Sequence, residues 1–161
     1  IDPGVVALLA LPWAVLAADP LWVYGTMYRD AWAYFGFFQN LPGHLAAFPD
    51  YYTSGRLTAL IPGWLAYLVF RPATANLLLH VGVYSVGVLS AYSALASTVG
   101  RRAGFLAAAG LGSNYFYQKA VGWDYVDGYA AAYFLLATAL AVSVPLGFGA
   151  FYLAAELAAR L

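Results

Sequence analysis

Three aspartates beside aromatic residues are the strongest candidates for chemistry in this sequence. Asp30 is followed two and four positions later by Trp and Tyr, and Asp124 and Asp127 lie in the run Gly-Trp-Asp-Tyr-Val-Asp-Gly. Such a carboxylate can act as a general base, and two carboxylates three positions apart on a helix can share a proton or hold a metal ion. The simpler alternatives are a solvated Asp30 in an interfacial aromatic belt and an Asp127 that caps the helix beginning near residue 129. Because Asp127 suits the capping role, we favour Asp124 as the functional member of the pair.

Arg56 and Lys119 are the candidate cations for binding an anionic ligand. Arg56 follows Tyr-Tyr-Thr-Ser-Gly and directly precedes an apolar segment of 14 residues. A guanidinium binds phosphate through paired hydrogen bonds, so Arg56 is a candidate ligand for a lipid phosphate. The alternative is an interfacial arginine that only extends toward the lipid headgroups. Lys119, with the neighbouring Gln118, is a weaker candidate for the same role.

The remaining polar residues form no recognised catalytic or metal motif. His80 follows Asn76 by one helical turn inside an apolar stretch. Such a pair either serves a function within the membrane or forms a helix–helix hydrogen bond. The sequence has no glycine-rich phosphate loop, no Ser-His-Asp arrangement and no cysteine. We therefore predict no cofactor, and no motif supports a divalent metal at the aspartates.

The composition indicates that these residues belong to an integral membrane protein. Hydrophobic residues make up 64% of the 161 residues, only 9% are charged and the net charge is zero, whereas about a quarter of the residues in a soluble domain are charged. No Asp, Glu, Lys or Arg occurs from Pro72 to Gly100 or from Gly128 to Ala155. Each stretch exceeds the ~20 residues that a helix needs to cross the hydrocarbon core. We predict an all-α, multi-pass transmembrane fold, and the zero net charge argues against a nucleic-acid-binding face.

The apolar runs predict about four to five spans in a single transmembrane domain, residues 1–161. The first run is Pro3–Ala18, the tail from residue 147 is expected to start a further helix, and the clear spans are about 74–98, 103–120 and 129–146. The segment 57–70 is shorter and contains Pro-Gly, which is typical of an interfacial or re-entrant helix. Because the chain begins with Ile1 and stops within an apolar stretch, we expect it to be a fragment of a longer protein.

The distribution of charge predicts which loops share a membrane face. The turn Gly100-Arg101-Arg102 lies between two predicted spans, and the positive-inside rule places it in the cytoplasm. The loops at about 19–73 and 121–128 then lie on the outer face. We therefore expect the three aspartates and Arg56 to share the outer surface of the membrane.

The order of these motifs is similar to that of a known family. A first span is followed by a long loop with an early Asp and by a Tyr-Tyr-x-x-x-Arg-Leu-x-x-x-x-Pro-Gly segment; then come a span before Gly-Arg-Arg-Ala, another span and a short loop with Asp. This order resembles the N-terminal part of GT-C-type membrane glycosyltransferases, the class that includes protein O-mannosyltransferases and lipid A aminoarabinose transferases. The patterns Asp-x-Trp-x-Tyr-x-Gly at 30–36 and Gly-Trp-Asp-Tyr-Val-Asp-Gly at 122–128 resemble bacterial family-39-like members most closely.

Two departures from the family limit what the resemblance implies. Many relatives carry paired acids in the first loop, whereas Asp30 stands between Arg29 and Ala31, and they carry His-Pro-Pro or Lys-Pro-Pro where this chain has Arg56-Leu57. The sugar and the acceptor therefore cannot be transferred from the better-known branches.

The resemblance implies a glycosyltransferase of the bacterial inner membrane that uses a polyprenyl-phosphate-linked sugar at the outer face. Asp30 would be the general base on the acceptor hydroxyl, Asp124 would be a second catalytic carboxylate, and Arg56 would stabilise the departing lipid phosphate. The other expected substrate-binding residues are Asp127, Tyr52, Trp123 and Lys119. The expected partners are the lipid-linked donor, membrane lipids and an acceptor that the sequence does not identify.

Two other functions remain as alternatives at this point. In a transporter the acids would act as gates or coupling sites, but transporters place ionisable groups near the bilayer midplane, and here only His80 suits that position. A membrane assembly protein without chemistry would instead explain the abundance of small residues.

Overall fold

The computed structural model describes the backbone of residues 2–23, 29–122 and 126–158, with side chains at all of these positions except 29, 30, 126 and 144–158. Within these ranges the chain forms eight α-helices and no strand, which confirms the all-α prediction. The helices are α1 (Pro3–Ala18), α2 (Arg29–Gln39), α3 (Leu41–Ala47), α4 (Leu57–Val69), α5 (Pro72–Thr98), α6 (Arg101–Gly112), α7 (Tyr115–Gly122) and α8 (Val126–Ala158).

Helix α5 lies at the centre of the fold, because α1, α4, α6, α7 and α8 all pack against it. It starts at Pro72, whose fixed φ suits the first position of a helix and whose missing N–H would have no partner there. At 1.5 Å per residue its 27 residues extend about 40 Å, which exceeds the ~30 Å thickness of a hydrocarbon core. The helix is therefore long enough to organise the whole bundle.

The described helices include fewer candidate membrane spans than the sequence predicted. Among the described residues, α5 is the single helix that is long and apolar enough by itself to cross a membrane. A second candidate arises if Tyr115–Gly122 and Asp127–Ser143, which are bent by 111° relative to each other, form one broken span. Helices α1 and α4 are apolar but shorter. By length and composition, the structure thus supports one span or two, compared with the four to five that the sequence predicted.

Helix α1 begins where the sequence predicted and runs antiparallel to α5. Asp2 caps it, since Asp2 Oδ1 accepts the Gly4 N–H at 2.8 Å, and Asp2 Oδ2 accepts the hydroxyl of Tyr92 near the end of α5 at 2.6 Å. Past the other end of α1, the carbonyl of Val23 accepts the side-chain amide of Asn76, in the second turn of α5, at 2.5 Å. These two links join opposite ends of the two helices in antiparallel order.

Helices α2, α3 and α4 occupy the region that was predicted as a long loop with helical insertions. α4 matches the predicted helix over 57–70, and α2 packs against it. The Phe38 ring of α2 lies against Gly63, where a Cβ would collide with it, and its centroid is 5.5 Å from that of Tyr67 in α4. This aromatic packing fixes α2 relative to α4, which matters for the site described below.

Helices α6 and α7 show that the prediction of one continuous helix over 103–120 was wrong. The helix ends at Gly112 because its carbonyl accepts the Tyr84 hydroxyl at 2.8 Å and the Gln118 side-chain amide at 3.0 Å. Asn114 then starts α7 by accepting the Tyr117 N–H on its side-chain oxygen at 3.1 Å. Side chains thus replace the backbone bonds that a continuous helix would have made.

Two further helix boundaries, the turn between α5 and α6 and the end of α8, can be compared with the sequence prediction. The predicted turn between α5 and α6 is present, and its Gly100 has φ 101°, a left-handed conformation that only glycine adopts readily. The prediction of a separate helix from residue 147 was wrong, since α8 continues without a break to Ala158.

Candidate functional site

Arg56 is held in a defined orientation by two tyrosines at the start of α4. Its backbone N–H donates to the Thr53 carbonyl at 3.0 Å, so the residue is fixed where the turn before α4 ends. Its Nη1 donates a hydrogen bond to the Tyr34 hydroxyl. Its guanidinium carbon lies 4.9 Å from the centroid of the Tyr52 ring, within the range of a cation–π interaction. We call Arg56, Tyr34 and Tyr52 the arginine cluster.

Helix α2 supplies the hydroxyl that positions Arg56. Tyr34 is 2% exposed, and its ring lies 6.4 Å from that of Phe38, which packs on α4. The cluster is therefore built on the α2–α4 interface and not on a free loop. Asp30 lies one helical turn before Tyr34 in α2, and its side chain lies outside the described part of the structure.

Helix α8 brings Asp127 into the electrostatic range of Arg56. The Tyr133 hydroxyl donates to the Thr58 carbonyl at 3.0 Å, which joins the first part of α8 to the start of α4. Asp127 is in the first turn of α8 and is exposed. The hydrogen bond to Tyr34 raises the pKa of Arg56 above its ordinary value, and partial burial opposes this shift. The electrostatic effects of Tyr34 and Tyr52 and, as the smallest contribution, the carboxylate of Asp127 also raise it. Arg56 is accordingly a permanent cation with a carboxylate in its neighbourhood.

The run at 122–128 owes its glycines to close packing. A Cβ on Gly122 would collide with the carbonyl oxygen of Trp22, and one on Gly128 would lie 2.7 Å from Val121 Cα, in the backbone of α7. The sequence predicted functional roles for the carboxylates of this run and none for its glycines. Trp123 and Asp124 lie outside the described residues.

Lys119 belongs to a different cavity from the arginine cluster. Its Nζ lies 3.5 Å from Asp19 Oδ2 and 5.5 Å from the centroid of the Tyr115 ring. These residues line a cavity of about 380 Å³ between α1 and the α6–α7 break. The indole N–H of Trp22, at the same cavity, donates to the Gln118 carbonyl at 2.7 Å. The described contacts of Lys119 therefore do not place it with Arg56.

The structure favours a packing role for the His80 and Asn76 pair. His80 is fully buried, and its Nδ1 lies 2.7 Å from the Asn76 carbonyl. The Asn76 side chain binds the Val23 carbonyl and so ties the segment after α1 to α5. The Asn76 bond joins α5 to the segment after α1 and the His80 bond lies within α5, so neither is the helix–helix hydrogen bond that was predicted as the alternative to a functional site.

Two residues near Arg56 were missed as candidates. Tyr34 was noted only as part of an aromatic pattern, although its position one turn after Asp30 on a helix is a signal that the sequence carried. Thr53, three residues before Arg56, is 0% exposed, and its hydroxyl has no hydrogen-bond partner among the described residues. No sequence signal marks that buried hydroxyl.

The described side chains include no group of three His, Asp or Glu residues that could hold a metal ion. The sequence left a metal open at the pair Asp124 and Asp127, and the side chain of Asp124 lies outside that part of the chain. The arginine cluster offers a guanidinium that stays protonated and the faces of two aromatic rings. Asp127 of α8 adds a carboxylate in its neighbourhood. This combination suits the binding of a phosphate group beside a polar ligand.

Comparison with protein-family models, with curated proteins and with solved structures found no match for this chain.

Proposed function

We propose that this chain belongs to a multi-pass membrane glycosyltransferase that moves a sugar from a polyprenyl-phosphate donor to an acceptor hydroxyl at the outer face of the bacterial inner membrane. The observation that carries the proposal is the arginine cluster, in which Tyr34 and Tyr52 orient Arg56 at the start of α4. A guanidinium held in one orientation before any ligand arrives loses little freedom on binding phosphate. The motif resemblance supports the same ligand class.

The proposed reaction assigns a role to each candidate residue. Asp30 accepts the proton of the acceptor hydroxyl, whose oxygen forms a bond to the anomeric carbon as the bond from that carbon to the phosphate oxygen breaks. The electron pair of the broken bond leaves with the lipid phosphate, and Arg56 stabilises its negative charge. Attack from the opposite side inverts the anomeric centre.

The remaining residues are proposed to position the substrates. Asp127 repels phosphate because it is an anion, so we assign it to sugar hydroxyls beside Arg56. Asp124 is proposed as a second catalytic carboxylate that orients the acceptor or the sugar, and Trp123 and Tyr52 as surfaces on which the sugar ring packs. Lys119, which lines a separate cavity beside Asp19, is proposed as a secondary cation for the anionic part of the donor.

The position of the charged groups favours this proposal over a transporter. Arg56 and Asp127 lie at the first residues of α4 and α8, not in the middle of a long helix. His80, the residue that suggested a midplane site, binds a carbonyl of its own helix. Transporters typically hold their substrates at interrupted helices near the midplane.

The direct test of the proposal is a transfer assay. Membranes that contain the intact protein and matched membranes without it are supplied with polyprenyl-phosphate sugars radiolabelled in the sugar. We expect label to move from the lipid fraction to an acceptor only when the protein is present. Equal release of label from both membranes, across a panel of hexose and pentose donors, would contradict the proposal.

The proposed membrane topology is tested by labelling single cysteines in the loops. Because the chain contains no cysteine, single cysteines at positions 30, 102 and 124 give unambiguous labelling with a membrane-impermeant thiol reagent. We expect positions 30 and 124 to react from the outer face and position 102 to react only after the membrane is opened. If 30 and 124 react from opposite faces, the shared-face arrangement is wrong.

A further inference from the structure

A second cavity, far from the arginine cluster, lies where α5 ends and α6 begins. Its volume is about 340 Å³, which is within the range of small-molecule sites. It is bounded by the capped start of α1, the last turns of α5 and the first turns of α6, through Asp2, Tyr92, Arg101, Arg102, Phe105 and Leu106. None of the roles proposed above uses these residues.

The two arginines of this cavity are positive charges that the described part of the protein does not neutralise. Arg101 and Arg102 are exposed, and neither is in an ion pair with any described residue. The one carboxylate in the cavity, Asp2, uses one oxygen to cap α1 and the other to accept the Tyr92 hydroxyl. The positive charge of Arg101 also acts on Asp2 and helps to lower the pKa of that carboxyl group, after the hydrogen bonds from Tyr92 and Gly4. Two cations and one anion nevertheless leave the residues around the cavity with a net positive charge.

The wall beside the arginines is apolar and open. Leu106, one turn along α6, is 70% exposed, and Val99 in the turn before α6 is 63% exposed. Phe105, which lines the cavity together with Leu106, is partly buried. A soluble anion would contact the guanidinium groups alone, whereas a lipid would also cover this apolar wall. Cations next to an exposed apolar surface thus fit an amphiphile with an anionic head.

We propose that an anionic phospholipid of the cytoplasmic leaflet binds here, with its headgroup at the exposed Arg101 and Arg102 and its acyl chains in the cavity against Phe105 and Leu106. The inference rests on the membrane placement given under Proposed function, but it does not depend on sugar transfer. The phosphate binds Arg101 and Arg102, and the first turn of α6, whose cap Gly100 offers no side chain, adds favourable N–H dipoles.

Lipid binding to the purified intact protein tests this site. Native mass spectrometry in detergent would compare phosphatidylglycerol with phosphatidylcholine, and we expect phosphatidylglycerol to bind more tightly. Each arginine contributes about a fivefold gain in affinity, so Arg101→Gln or Arg102→Gln should lose about fivefold and the double variant about thirtyfold. Asp2→Asn removes the opposing charge and should raise the affinity, and asparagine still caps α1.

Arg71→Gln is the matched control, because Arg71 is an exposed arginine at the opposite end of α5. It should leave the affinity for phosphatidylglycerol unchanged. The proposal is overturned if the double variant binds phosphatidylglycerol as the unaltered protein does, or if Arg71→Gln loses as much. It is also overturned if glycerol phosphate, which has the headgroup chemistry without acyl chains, competes at the same concentration as the lipid. Sugar transfer by the same variants is measured separately, so failure here leaves the proposed reaction intact.

Discussion

Arg56→Ala is expected to lower the rate of sugar transfer by about 10²–10³-fold, the loss that follows removal of one preorganised group from a developing anion. The leaving phosphate gains negative charge as its bond to the sugar breaks, and Arg56 is the oriented cation in the described part of the site. The effect should appear in kcat as well as in kcat/KM, because the charge is larger in the transition state than in the bound donor.

Graded variants separate the charge of Arg56 from its orientation. Arg56→Lys keeps the charge but loses the planar pair of donors, so its activity should lie between those of the unaltered protein and Arg56→Ala. Tyr34→Phe removes only the hydroxyl that holds Arg56, and losing one hydrogen bond to a charged group should cost about tenfold. Arg71→Ala, at the start of α5, is the control and should transfer sugar normally.

The carboxylate roles are tested in the same assay. Asp30→Asn should reduce transfer by about 10²-fold or more if Asp30 is the general base, and Asp124→Asn should also reduce it. Unchanged transfer in both variants would contradict the catalytic assignment.

If Arg56→Ala instead binds polyprenyl phosphate and transfers sugar as the unaltered protein does, Arg56 has only a structural role. Circular dichroism and gel filtration of each variant show whether the fold is retained.

The helix positions that the sequence predicted well are those with strong local signals. α1 coincides with the apolar run between Asp2 and Asp19, and α5 begins within two residues of its predicted start, at Pro72. Proline, charge and glycine mark these ends because each changes backbone hydrogen bonding within a few residues. Local chemistry determines such boundaries, so a single sequence contains enough information to predict them.

The features that the sequence could not predict depend on contacts between distant residues. The break between α6 and α7 requires the Tyr84 hydroxyl, from α5, to reach the Gly112 carbonyl. Within the site, the pairing of Arg56 with Tyr34 requires α2 to pack on α4 through Phe38 and Gly63. Composition and spacing contain no information about such pairs, although the position of Arg56 directly before an apolar segment did predict it as a candidate.

Gly122 and Gly128 are a further example of residues whose role depends on contacts that the sequence does not reveal. Their spacing was visible in the sequence as part of a motif, but their reason is the approach of Trp22 to α7 and of α7 to α8. A glycine that is required because it has no side chain does not indicate which residues pack against it. The structural role of these glycines can nevertheless be tested as sharply as any catalytic role.

Gly128→Ala is expected to destabilise the protein by about 3 kcal/mol, at the upper end of the range for inserting a methyl group into a packed site. The new Cβ would lie 2.7 Å from both the Ala120 carbonyl carbon and Val121 Cα. Backbone atoms of a neighbouring helix cannot rotate away as a side chain can, so α8 must shift relative to α7. The shift displaces Asp127, and transfer should fall together with stability.

Gly110→Ala is the control for this substitution. Gly110 lies in α6, and a Cβ there would meet nothing within 4 Å. Because alanine favours a helix by about 0.5–1 kcal/mol over glycine, Gly110→Ala should be at least as stable as the unaltered protein. Thermal unfolding of the three proteins in the same detergent measures the difference. Equal stability of Gly128→Ala and Gly110→Ala would mean that α7 and α8 do not approach each other closely. The placement of Asp127 near Arg56 would then depend on the hydrogen bond from Tyr133 to the Thr58 carbonyl alone.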